Sequence, residues 1–333
     1  MELKTVEPKT VEHKTVLVTG GAGFIASHLV DRLVGQGHRV TVVDSLDAGK
    51  LENLNKSWNE IQFIHADTRD RAWWERLEGK RFDEIYHYAA NASVPRSSED
   101  PNYDTATNVE GTLNLLELAR AHGAKFLFIS SAGVYGEPQY LPMDEGHQTL
   151  PISHYGVSKL AGELYVDMYR RQWGLDTRII RYFNVFGPRQ PRYIMFDFLR
   201  KAKLPGDTFE VLGTGEQVRT QIYVGDAVTA SLSIMERGDH RPYNVGSDRT
   251  FTALELARIV LEVTGATHKR IVPTGGEAWP GDIKTLRADL TRLRELGFEL
   301  TTTLEEGLQE MLGGRAAAQQ ATQQATQQFV EHA

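Results

Sequence analysis

Residues 16–30 read VLVTGGAGFIASHLV, and this stretch decides the fold. Val16 to Thr19 is a short apolar run that ends in a hydroxyl residue, which is typical of a buried strand. A glycine-rich turn follows, and then an apolar pattern with the helical period. A strand, a glycine turn and a helix start together predict a dinucleotide-binding unit, because glycines let the backbone approach a pyrophosphate at a helix N-terminus.

The glycine spacing supports this interpretation. Gly21, Gly23 and Ala26 fit the G-x-G-x-x-G/A pattern, and Gly20 with Gly23 and Ala26 fits a wider dinucleotide-binding spacing. Ala26 stands where only close helix packing is needed, so one methyl group is tolerable. Asp44 ends the next predicted strand, 24 positions after Gly20. Its carboxylate can accept hydrogen bonds from ribose hydroxyls and would repel a 2′-phosphate, so NAD is favoured over NADP.

A second carboxylate is a candidate for the adenine end of the cofactor. Asp67 lies at the end of the third predicted strand, in the segment HADTRD. Aspartates at strand ends are also ordinary turn formers, and both Asp44 and Asp67 retain that alternative. The complete strand–turn–helix context favours the cofactor role.

The first half of the chain alternates apolar strands with helical patterns, which predicts an α/β fold with a doubly wound parallel sheet. The predicted strands are Thr15 to Thr19, Arg39 to Asp44, Ile61 to Asp67, Glu84 to Tyr88, Lys125 to Ser130 and Thr177 to Tyr182. The predicted helices between them include Gly23 to Gly35 and Thr107 to Ala121. Residues 15–185 are therefore interpreted as a Rossmann-type NAD-binding domain.

From residue 186 the segments become shorter and mixed. We interpret residues 186–312 as mainly a smaller C-terminal α/β substrate lobe that closes over the carboxyl edge of the sheet. Helices are predicted near Ala253 to Thr264 and Leu304 to Leu312. The boundary is approximate, because the chain is expected to cross between the lobes more than once. Residues 313–333 form a low-complexity Ala/Gln-rich tail with no predicted catalytic role.

Composition narrows the function classes. The 333-residue chain is 41% hydrophobic and 24% charged, an ordinary globular balance. It has no cysteine, so it has no disulfide, thiolate metal ligand or cysteine nucleophile, and a reducing, cytoplasmic setting is the simplest expectation. The net charge is -7 without a basic stripe, which argues against a nucleic-acid partner. No apolar run suits a membrane span or a signal peptide, and no metal site is expected.

Tyr155 and Lys159 are candidate catalytic residues in the helical segment HYGVSKLAGELYVDMYRR. Their i, i+4 spacing places both on one helix face. To act as a base near neutrality, a tyrosine must lower its pKa by about 3 from ~10. An adjacent ammonium and a positive nicotinamide ring can act in that direction. The alternative is a solvated lysine beside a half-buried tyrosine.

Ser131 adds a third element to this pair. The segment ISSAGVYG follows the fifth predicted strand, so Ser130 and Ser131 lie at the carboxyl end of that strand. Ligands of open α/β sheets bind at this edge. Ser131 can hydrogen-bond a substrate hydroxyl and share it with Tyr155. The alternative role for Ser131 is a helix or turn cap.

These segments resemble one family when they are taken together. The chain is similar to the extended short-chain dehydrogenase/reductase superfamily, and specifically to its NAD-dependent nucleotide-sugar epimerase/dehydratase family. The resemblance spans about residues 15–312 and rests on segments in family order: TGGAGFIASHL, VVDSLDAGKLENL, YHYAANASVPRS, TNVEGTLNLLELA, SSAGVYG, YGVSKLAGE, RYFNVFGPRQ and GEQVRTQIYVGDAV. Each segment alone is weak evidence, but the ordered set is specific.

The resemblance implies a cofactor, a substrate class and an assembly. It implies NAD contacts from residues along the nucleotide cleft: Gly20, Gly23, Phe24, Ile25, Asp44, Asp67, Thr68, Ala89, Ala90, Asn108, Ser130, Tyr155, Lys159 and Tyr182. It implies nucleotide-sugar contacts from Ser93, Ser131, Asn184 and Arg219. Of these, Arg219 also suits a diphosphate chemically, whereas the alternatives are a surface salt bridge for Arg219 and a turn for Asn184. It also implies a homodimer built on the helices at Asn108 to Ala121 and Tyr155 to Trp173.

The resemblance also narrows the reaction. Family 4,6-dehydratases carry Asp-Glu after the catalytic Ser/Thr, and the decarboxylases usually place Glu at the second of these positions. Here the two positions are Ala132 and Gly133, which cannot transfer protons. Epimerases at carbons 3 and 5 use a cysteine, which this chain lacks. This favours a 4-epimerase of UDP-hexose or UDP-uronic acid type acting through a transient 4-keto sugar.

Two other functions stay open on the sequence alone. One is a dehydratase or decarboxylase that uses an unfamiliar acid/base group, and the other is a catalytically silent relative that binds NAD or a sugar nucleotide. One position departs from the family pattern, since Trp279 stands where many relatives have an Arg that grips the diphosphate. Arg287 or another basic group would have to substitute for it.

Overall fold

A computed structural model describes residues 13–77, 79–276 and 283–313. The strands in chain order are β1 (Thr15–Thr19), β2 (Arg39–Asp44), β3 (Ile61–His65), β4 (Glu84–His87), β5 (Lys125–Ser131), β6 (Thr177–Tyr182), β7 (Val185–Phe186), β8 (Thr208–Val211), β9 (Val218–Thr220), β10 (Ile222–Tyr223), β11 (Pro242–Val245), β12 (Thr250–Thr252) and β13 (Arg270–Pro273). The helices are α1 (Phe24–Gly35), α2 (Val94–Glu99), α3 (Pro101–Thr105), α4 (Gly111–His122), α5 (His154–Trp173), α6 (Ile194–Lys203), α7 (Val224–Arg237), α8 (Ala253–Thr264) and α9 (Thr291–Glu295). Residues 304–313 are also helical.

Seven parallel strands form the central sheet, in the order β11-β6-β5-β4-β1-β2-β3. The chain starts in the middle at β1, runs outward through β2 and β3, and then returns to the other side of β1 at β4. This reversal is the topological switch point of a doubly wound sheet, next to which ligands bind. The predicted Rossmann-type α/β fold is confirmed.

Helices cover both faces of this sheet. On one face, α1 and α7 pack against the strands through residues such as Leu29 and Ala230, which are fully buried. On the other face, α4 and α5 bury Leu115 and Val166 against the strands. Because both faces are covered, the strands are apolar almost throughout instead of alternating, as the sequence predicts.

The predicted elements agree closely with the structure, with small differences at their ends and in one helix. β3 ends at His65 instead of Asp67, and β5 extends one residue further to Ser131. The helix predicted over Thr107 to Ala121 is interrupted, since Ala106–Glu110 form a π-helical turn before α4. Such turns insert one extra residue into a helix and are frequent at functional sites.

The smaller lobe has its own apolar core, which includes Phe198 on α6, Phe209 on β8 and Leu256 on α8. Two short strand pairs, β8 with β13 and β9 with β12, belong to it. The range 186–312 is not all lobe, however. β11 pairs with β6 at the edge of the central sheet, and α7 covers its face, because α7 carries a buried apolar stripe that matches the sheet.

Two of the sequence interpretations concern residues outside the described part of the chain. These are the departure at Trp279 and the Ala/Gln-rich segment from residue 314 onward. Within residues 13–77, 79–276 and 283–313, no helix is long and apolar enough to cross a membrane. The same residues contain no group of three or more His, Asp or Glu side chains placed to hold a metal ion.

Candidate functional site

The glycine turn between β1 and α1 leaves no room for side chains. Gly20 has a φ of +67°, and a Cβ atom there would lie 2.7 Å from the backbone nitrogen of Ala89. At Gly23 a Cβ would lie 2.9 Å from the carbonyl oxygen of Gly20. α1 begins directly after Gly23 without a side-chain cap. Its first backbone amides are therefore available to a bound anion such as a pyrophosphate.

Asp44 lies beside this turn at the carboxyl end of β2. Its Oδ2 accepts a hydrogen bond from the Ala22 amide at 2.9 Å, and its Oδ1 accepts one from the Leu46 amide at 2.8 Å. Burial raises the pKa of Asp44, while these amide hydrogen bonds act in the opposite direction. A carboxylate has about four acceptor positions, so the side chain retains capacity for ribose hydroxyls.

Asp67 is already engaged by its neighbour Arg69. The Arg69 guanidinium donates to both carboxylate oxygens, with Nη2 to Oδ2 at 2.6 Å. This hydrogen bond is the main reason that the pKa of Asp67 is lowered. The next residue, Thr68, is buried, and its carbonyl oxygen accepts from Asn114 at 2.9 Å. Both residues follow β3 and lie at the same carboxyl edge of the sheet as Asp44. Their contact with adenine stays a prediction.

The remaining predicted residues at the glycine turn are partly exposed. They are Phe24 and Ile25 at the start of α1, and Ala89 and Ala90 after β4. β4 and β1 are neighbours in the sheet, so these two short segments face each other across the switch point.

Ser131 and Tyr155 come together where α5 passes the end of β5. Both side chains border Gly133, since a Cβ there would lie 3.4 Å from Ser131 Oγ and 3.7 Å from Tyr155 Cδ1. Ser131 Oγ accepts from the Gly133 amide at 3.1 Å. The approach is close because of Gly156, where a Cβ would lie only 2.5 Å from the carbonyl oxygen of Gly133. Ser97 on α2 fixes the first turn of α5, since its Oγ accepts from the Tyr155 amide at 3.1 Å.

The protein alone does not lower the pKa of Tyr155. Burial raises this pKa well above its usual value, and Tyr193 acts in the same direction. Tyr193 lies in a sparsely populated backbone region, with φ of +75° and ψ of 176°, and its hydroxyl donates to the carbonyl oxygen of Ala92. Backbone strain of this kind is common at functional sites. The lowering expected from the sequence therefore has to come from a bound positive charge such as the nicotinamide ring.

Lys159 is buried against the sheet one turn along α5. Its Nζ lies 4.7 Å from the centre of the Phe128 ring on β5. The helix approaches β5 closely because Gly162 has no side chain, since a Cβ there would lie 2.4 Å from Phe128 Cζ. Burial lowers the pKa of Lys159 to about 8, against the opposing effects of Asp104 and Glu163. Near pH 7 the amine is still mainly protonated.

Asn108, in the π-helical turn, connects the cofactor side to α5. Its Nδ2 donates to Ser158 Oγ at 2.9 Å, and its Oδ1 accepts from the Asn91 amide at 2.8 Å. The same Nδ2 lies 3.1 Å from Asp104 Oδ1. Sequence reasoning found Asn108 through the family resemblance but missed Asn91 and Asp104. The buried polar residues of YHYAANAS and DPNYDTATN were the available signal.

His87 was also missed, and its hydrogen bonds define its tautomer. Nδ1 lies 2.7 Å from Thr19 Oγ1, and Nε2 lies 3.0 Å from Thr112 Oγ1. Thr112 donates its own proton to the Asn108 carbonyl at 2.6 Å, so it accepts from Nε2–H of His87. Burial lowers the pKa of His87 to about 3, and the ring is neutral. Through these two hydrogen bonds, His87 connects β1 to α4 next to the switch point.

Two predicted cofactor residues have side chains engaged elsewhere. Ser130 Oγ donates to Glu163 at 2.5 Å, and Glu163 is in turn paired with Arg181 at 2.7 Å. The hydroxyl of Tyr182 lies against α7, 2.5 Å from Ser231 Oγ. The structure does not bring either hydroxyl to the Ser131–Tyr155 pair.

The predicted substrate residues are dispersed around the cleft. Ser93 caps α2 by accepting from the Arg96 amide at 3.3 Å. Asn184 is partly exposed after β6, and its carbonyl oxygen accepts from Ile222 at 2.9 Å. Arg219 lies in the lobe on β9, where it is buried and donates to the Val218 and Lys284 carbonyls at 2.9 and 3.0 Å. Arg287, the candidate substitute for the missing family arginine, is exposed.

Comparison with known proteins agrees with this geometry. The model of a family described as "NAD dependent epimerase/dehydratase family" matches residues 16–246, which are more than half of the chain. The chain belongs to the NAD-dependent epimerase/dehydratase family. The cofactor of this protein is therefore NAD. The glycine turn and Asp44 support the same cofactor on structural grounds, because they suit a pyrophosphate and a ribose.

Individual relatives include more than one activity. The UDP-glucose 4-epimerase of Mycolicibacterium smegmatis is 37% identical over 304 residues, which are 88% of this chain and 95% of that protein. UDP-glucuronic acid decarboxylase 1 of Danio rerio is 34% identical over 314 residues, 90% of this chain and 72% of that protein. The crystal structure of UDP-glucose 4-epimerase from Thermotoga maritima with UDP-glucose has 38% identity and a TM-score of 0.85, covering 91% of this chain and 99% of that chain. Family membership thus establishes nucleotide-sugar chemistry and leaves the exact reaction to the site.

Proposed function

We propose that this protein is an NAD-dependent nucleotide-sugar 4-epimerase that acts on a UDP-hexose or UDP-uronic acid through a transient 4-keto sugar. The observation that carries the proposal is the environment of Gly133. A Cβ at this position would lie 3.4 Å from Ser131 Oγ and 3.7 Å from Tyr155 Cδ1. A side chain at position 133 would thus reach the reacting pair, and this chain supplies no acid or base there.

The residues at the site are sufficient for reversible oxidation at carbon 4. Tyr155 takes the proton of the 4-hydroxyl, and Ser131 hydrogen-bonds the same substrate hydroxyl and shares it with Tyr155. Lys159 supplies positive charge on the same helix face. Bound NAD supplies the hydride acceptor and donor. If the hydride were returned to the opposite face of the sugar, the epimer would form without a further acid/base group.

One product assay separates this proposal from its alternatives. The purified protein would be incubated with UDP-glucose, UDP-galactose, their N-acetylated forms and the UDP-uronic acids without added NAD, and products would be identified by NMR. We expect interconversion at carbon 4. A dehydrated or decarboxylated product would overturn the epimerase assignment, and no product with any of these substrates would favour the silent relative.

Arg192, a cation whose charge acts on Tyr155, favours a uronic acid within this panel. Burial raises the pKa of Tyr155, and the positive charge of Arg192 acts on this hydroxyl in the opposite direction. Arg192 lies over the ring of Tyr193, 5.2 Å from its centre, and forms no ion pair with any described residue. In a pyranose, carbon 4 lies across the ring from the diphosphate at carbon 1. The nearby anion that Arg192 would pair with is therefore a carboxylate at carbon 6.

The role of Arg192 can be tested by substrate discrimination. In Arg192→Met we expect kcat/KM for UDP-glucuronic acid to fall at least ~10-fold relative to that for UDP-glucose, since charged hydrogen bonds contribute roughly 1.5–3 kcal/mol. Arg200→Met is the matched control, because Arg200 is exposed on α6 and pairs only with Asp197 among the described residues. Equal losses for both substrates would exclude this specificity role.

A further inference from the structure

Asp104 on α3 is a buried carboxylate with one oxygen that lacks a partner. The residue is 1% exposed. Its Oδ1 accepts from the side-chain amides of Asn91 at 2.7 Å and Asn108 at 3.1 Å. Its Oδ2 is buried without a hydrogen bond, and Asp104 forms no salt bridge with any residue in the described ranges. A buried, half-satisfied carboxylate of this kind requires an explanation.

Lys159 is the complementary case on the adjacent helix. α3 packs against α5, and the Lys159 side chain is buried between α5 and β5. Its ammonium lies over the Phe128 ring and makes no hydrogen bond or ion pair with a residue that the structure describes. A buried ammonium without an anionic neighbour tends to lose its proton.

The other titratable groups around Lys159 cannot compensate its charge. Glu163 is already neutralised by Arg181 at 2.7 Å and also accepts from Ser130. His87 is neutral, because burial lowers its pKa to about 3. Tyr155 is protonated in the protein alone, since burial raises its pKa. Among the described residues around Lys159, Asp104 is the carboxylate that is not already paired.

We propose that Asp104 is a positioning residue that keeps Lys159 protonated across the α3–α5 interface and at the same time fixes the side-chain amide of Asn108. The inference rests on the proposed function only in giving Lys159 a role in the reaction. One carboxylate would thereby stabilise both the Lys159 ammonium and the Asn108 side-chain amide next to the cofactor site. The direction of the Lys159 pKa agrees, since burial lowers it to about 8 and Asp104 is the strongest opposing group.

The direct test is titration of the Lys159 amine. The full-length protein, labelled with ¹³C-lysine, would be titrated by NMR, and the Lys159 signal would be identified by its loss in Lys159→Met. In Asp104→Asn, which has the same shape without the charge, we expect the pKa of Lys159 to fall by about 1. Asp100→Asn is the control, because Asp100 is exposed on the same segment and an asparagine retains its capping bond to the Tyr103 amide.

A kinetic readout gives the same contrast. The alkaline limb of the pH profile of kcat should move to lower pH in Asp104→Asn and stay in place in Asp100→Asn. A purely structural role for Asp104 would lower kcat at every pH without moving the limb. The NMR titration does not depend on turnover, so failure of this inference and failure of the epimerase proposal are distinguishable.

A double-mutant cycle covers the case in which Asp104→Asn folds poorly. We expect Asp104→Asn to lower the melting temperature when Lys159 is present, and to lower it less or raise it in the Lys159→Met background, because the two charges then no longer depend on each other. Additive melting shifts, or an unchanged Lys159 titration in Asp104→Asn, would overturn the proposal.

Discussion

Tyr155 is the residue on which the proposed chemistry depends most. In Tyr155→Phe the ring is retained and only the titrating oxygen is lost, so we expect turnover to fall by ~10²–10⁴-fold while folding and NAD binding persist. Lys159→Ala should also abolish most turnover, and Ser131→Ala should cost less because Tyr155 can still reach the substrate hydroxyl. Steady-state kinetics with circular dichroism as the folding control would test this. A Tyr155→Phe variant that retains half of the turnover of the unaltered protein would refute the assignment of Tyr155 as the catalytic base.

Activity should also depend on pH through Tyr155. The protein alone raises the pKa of this hydroxyl by burial, and NAD is the group expected to lower it. We therefore expect activity to fall as the pH drops through the lowered value, because the phenolate is then protonated. The measurement is kcat from about pH 6 to pH 10, the interval between a depressed and an ordinary tyrosine pKa. A flat profile would argue against Tyr155 as the base, provided that hydride transfer limits the rate.

Asp44 determines the expected cofactor preference. Its buried carboxylate, held by the amides of Ala22 and Leu46, would repel a 2′-phosphate. We expect the protein, after removal of bound cofactor, to bind NAD at least ~10-fold more tightly than NADP, and Asp44→Asn to narrow this ratio because the repelling charge is lost. Fluorescence titration with both dinucleotides would measure the ratio. Equal affinities in the unaltered protein would contradict the prediction.

At the scale of elements, α5 has two differently used faces. Its inner face positions Tyr155 and Lys159 against β5. Its outer face exposes Val157 at 55%, Leu164 at 62% and Met168 at 38%. Large apolar side chains grouped on one exposed helix face commonly mark a protein–protein interface. This pattern agrees with the homodimer that the family resemblance implies, which stays a prediction.

The dimer prediction can be tested with one charge. We expect the unaltered protein to be dimeric at micromolar concentration and Leu164→Arg to be monomeric, because a buried unpaired guanidinium opposes association. Leu204→Arg is the control, since Leu204 is 47% exposed at the end of α6, away from α5. Light scattering would measure the mass. A monomer in the unaltered protein, or equal effects of both substitutions, would count against α5 as the interface.

At the scale of the whole molecule, two contacts join the Rossmann domain to the segment that leads into the lobe. His28 on α1 donates from Nε2 to the Pro188 carbonyl at 3.0 Å, and Asp31 pairs with Arg189 at 2.7 Å. Burial is the main reason that the pKa of His28 is lowered from 6.5 to about 4, and the Arg189 charge adds to this effect. The contact is therefore made by a neutral histidine at pH 7.

This histidine should make stability sensitive to acid. The unfolded chain takes up the His28 proton near pH 6.5, whereas the folded protein resists it down to about pH 4. The contribution of neutral His28 to the free energy of unfolding is thus fully present above the unfolded pKa. It is lost as the pH falls from about 6.5 to about 4, by up to roughly 3 kcal/mol. Urea unfolding at pH 7 and pH 5 should show a smaller difference in His28→Gln than in the unaltered protein. His240→Gln, at an exposed position, should leave that difference unchanged.

Local sequence patterns determined most of the architecture and part of the site. The turn at Gly20 and Gly23, the acidic end of β2 and the i, i+4 pair of Tyr155 and Lys159 are encoded within short windows, because periodicity and glycine spacing act over a few residues. Most of the predicted strand and helix bounds in the first half of the chain followed for the same reason, and the ordered motifs identified the family. The roles of the individual site residues remain predictions that the experiments above address.

Only the tertiary structure decided which titratable groups that are distant in sequence lie close enough to affect each other's protonation. Asp104 and Lys159, or His87 and Thr19, are far apart in sequence, so no local pattern shows that they lie in one buried region. The π-helical turn at Ala106–Glu110 and the return of α7 and β11 to the central sheet are likewise results of packing. Burial and hydrogen bonding set the protonation of these groups, and both depend on which elements the fold brings into contact.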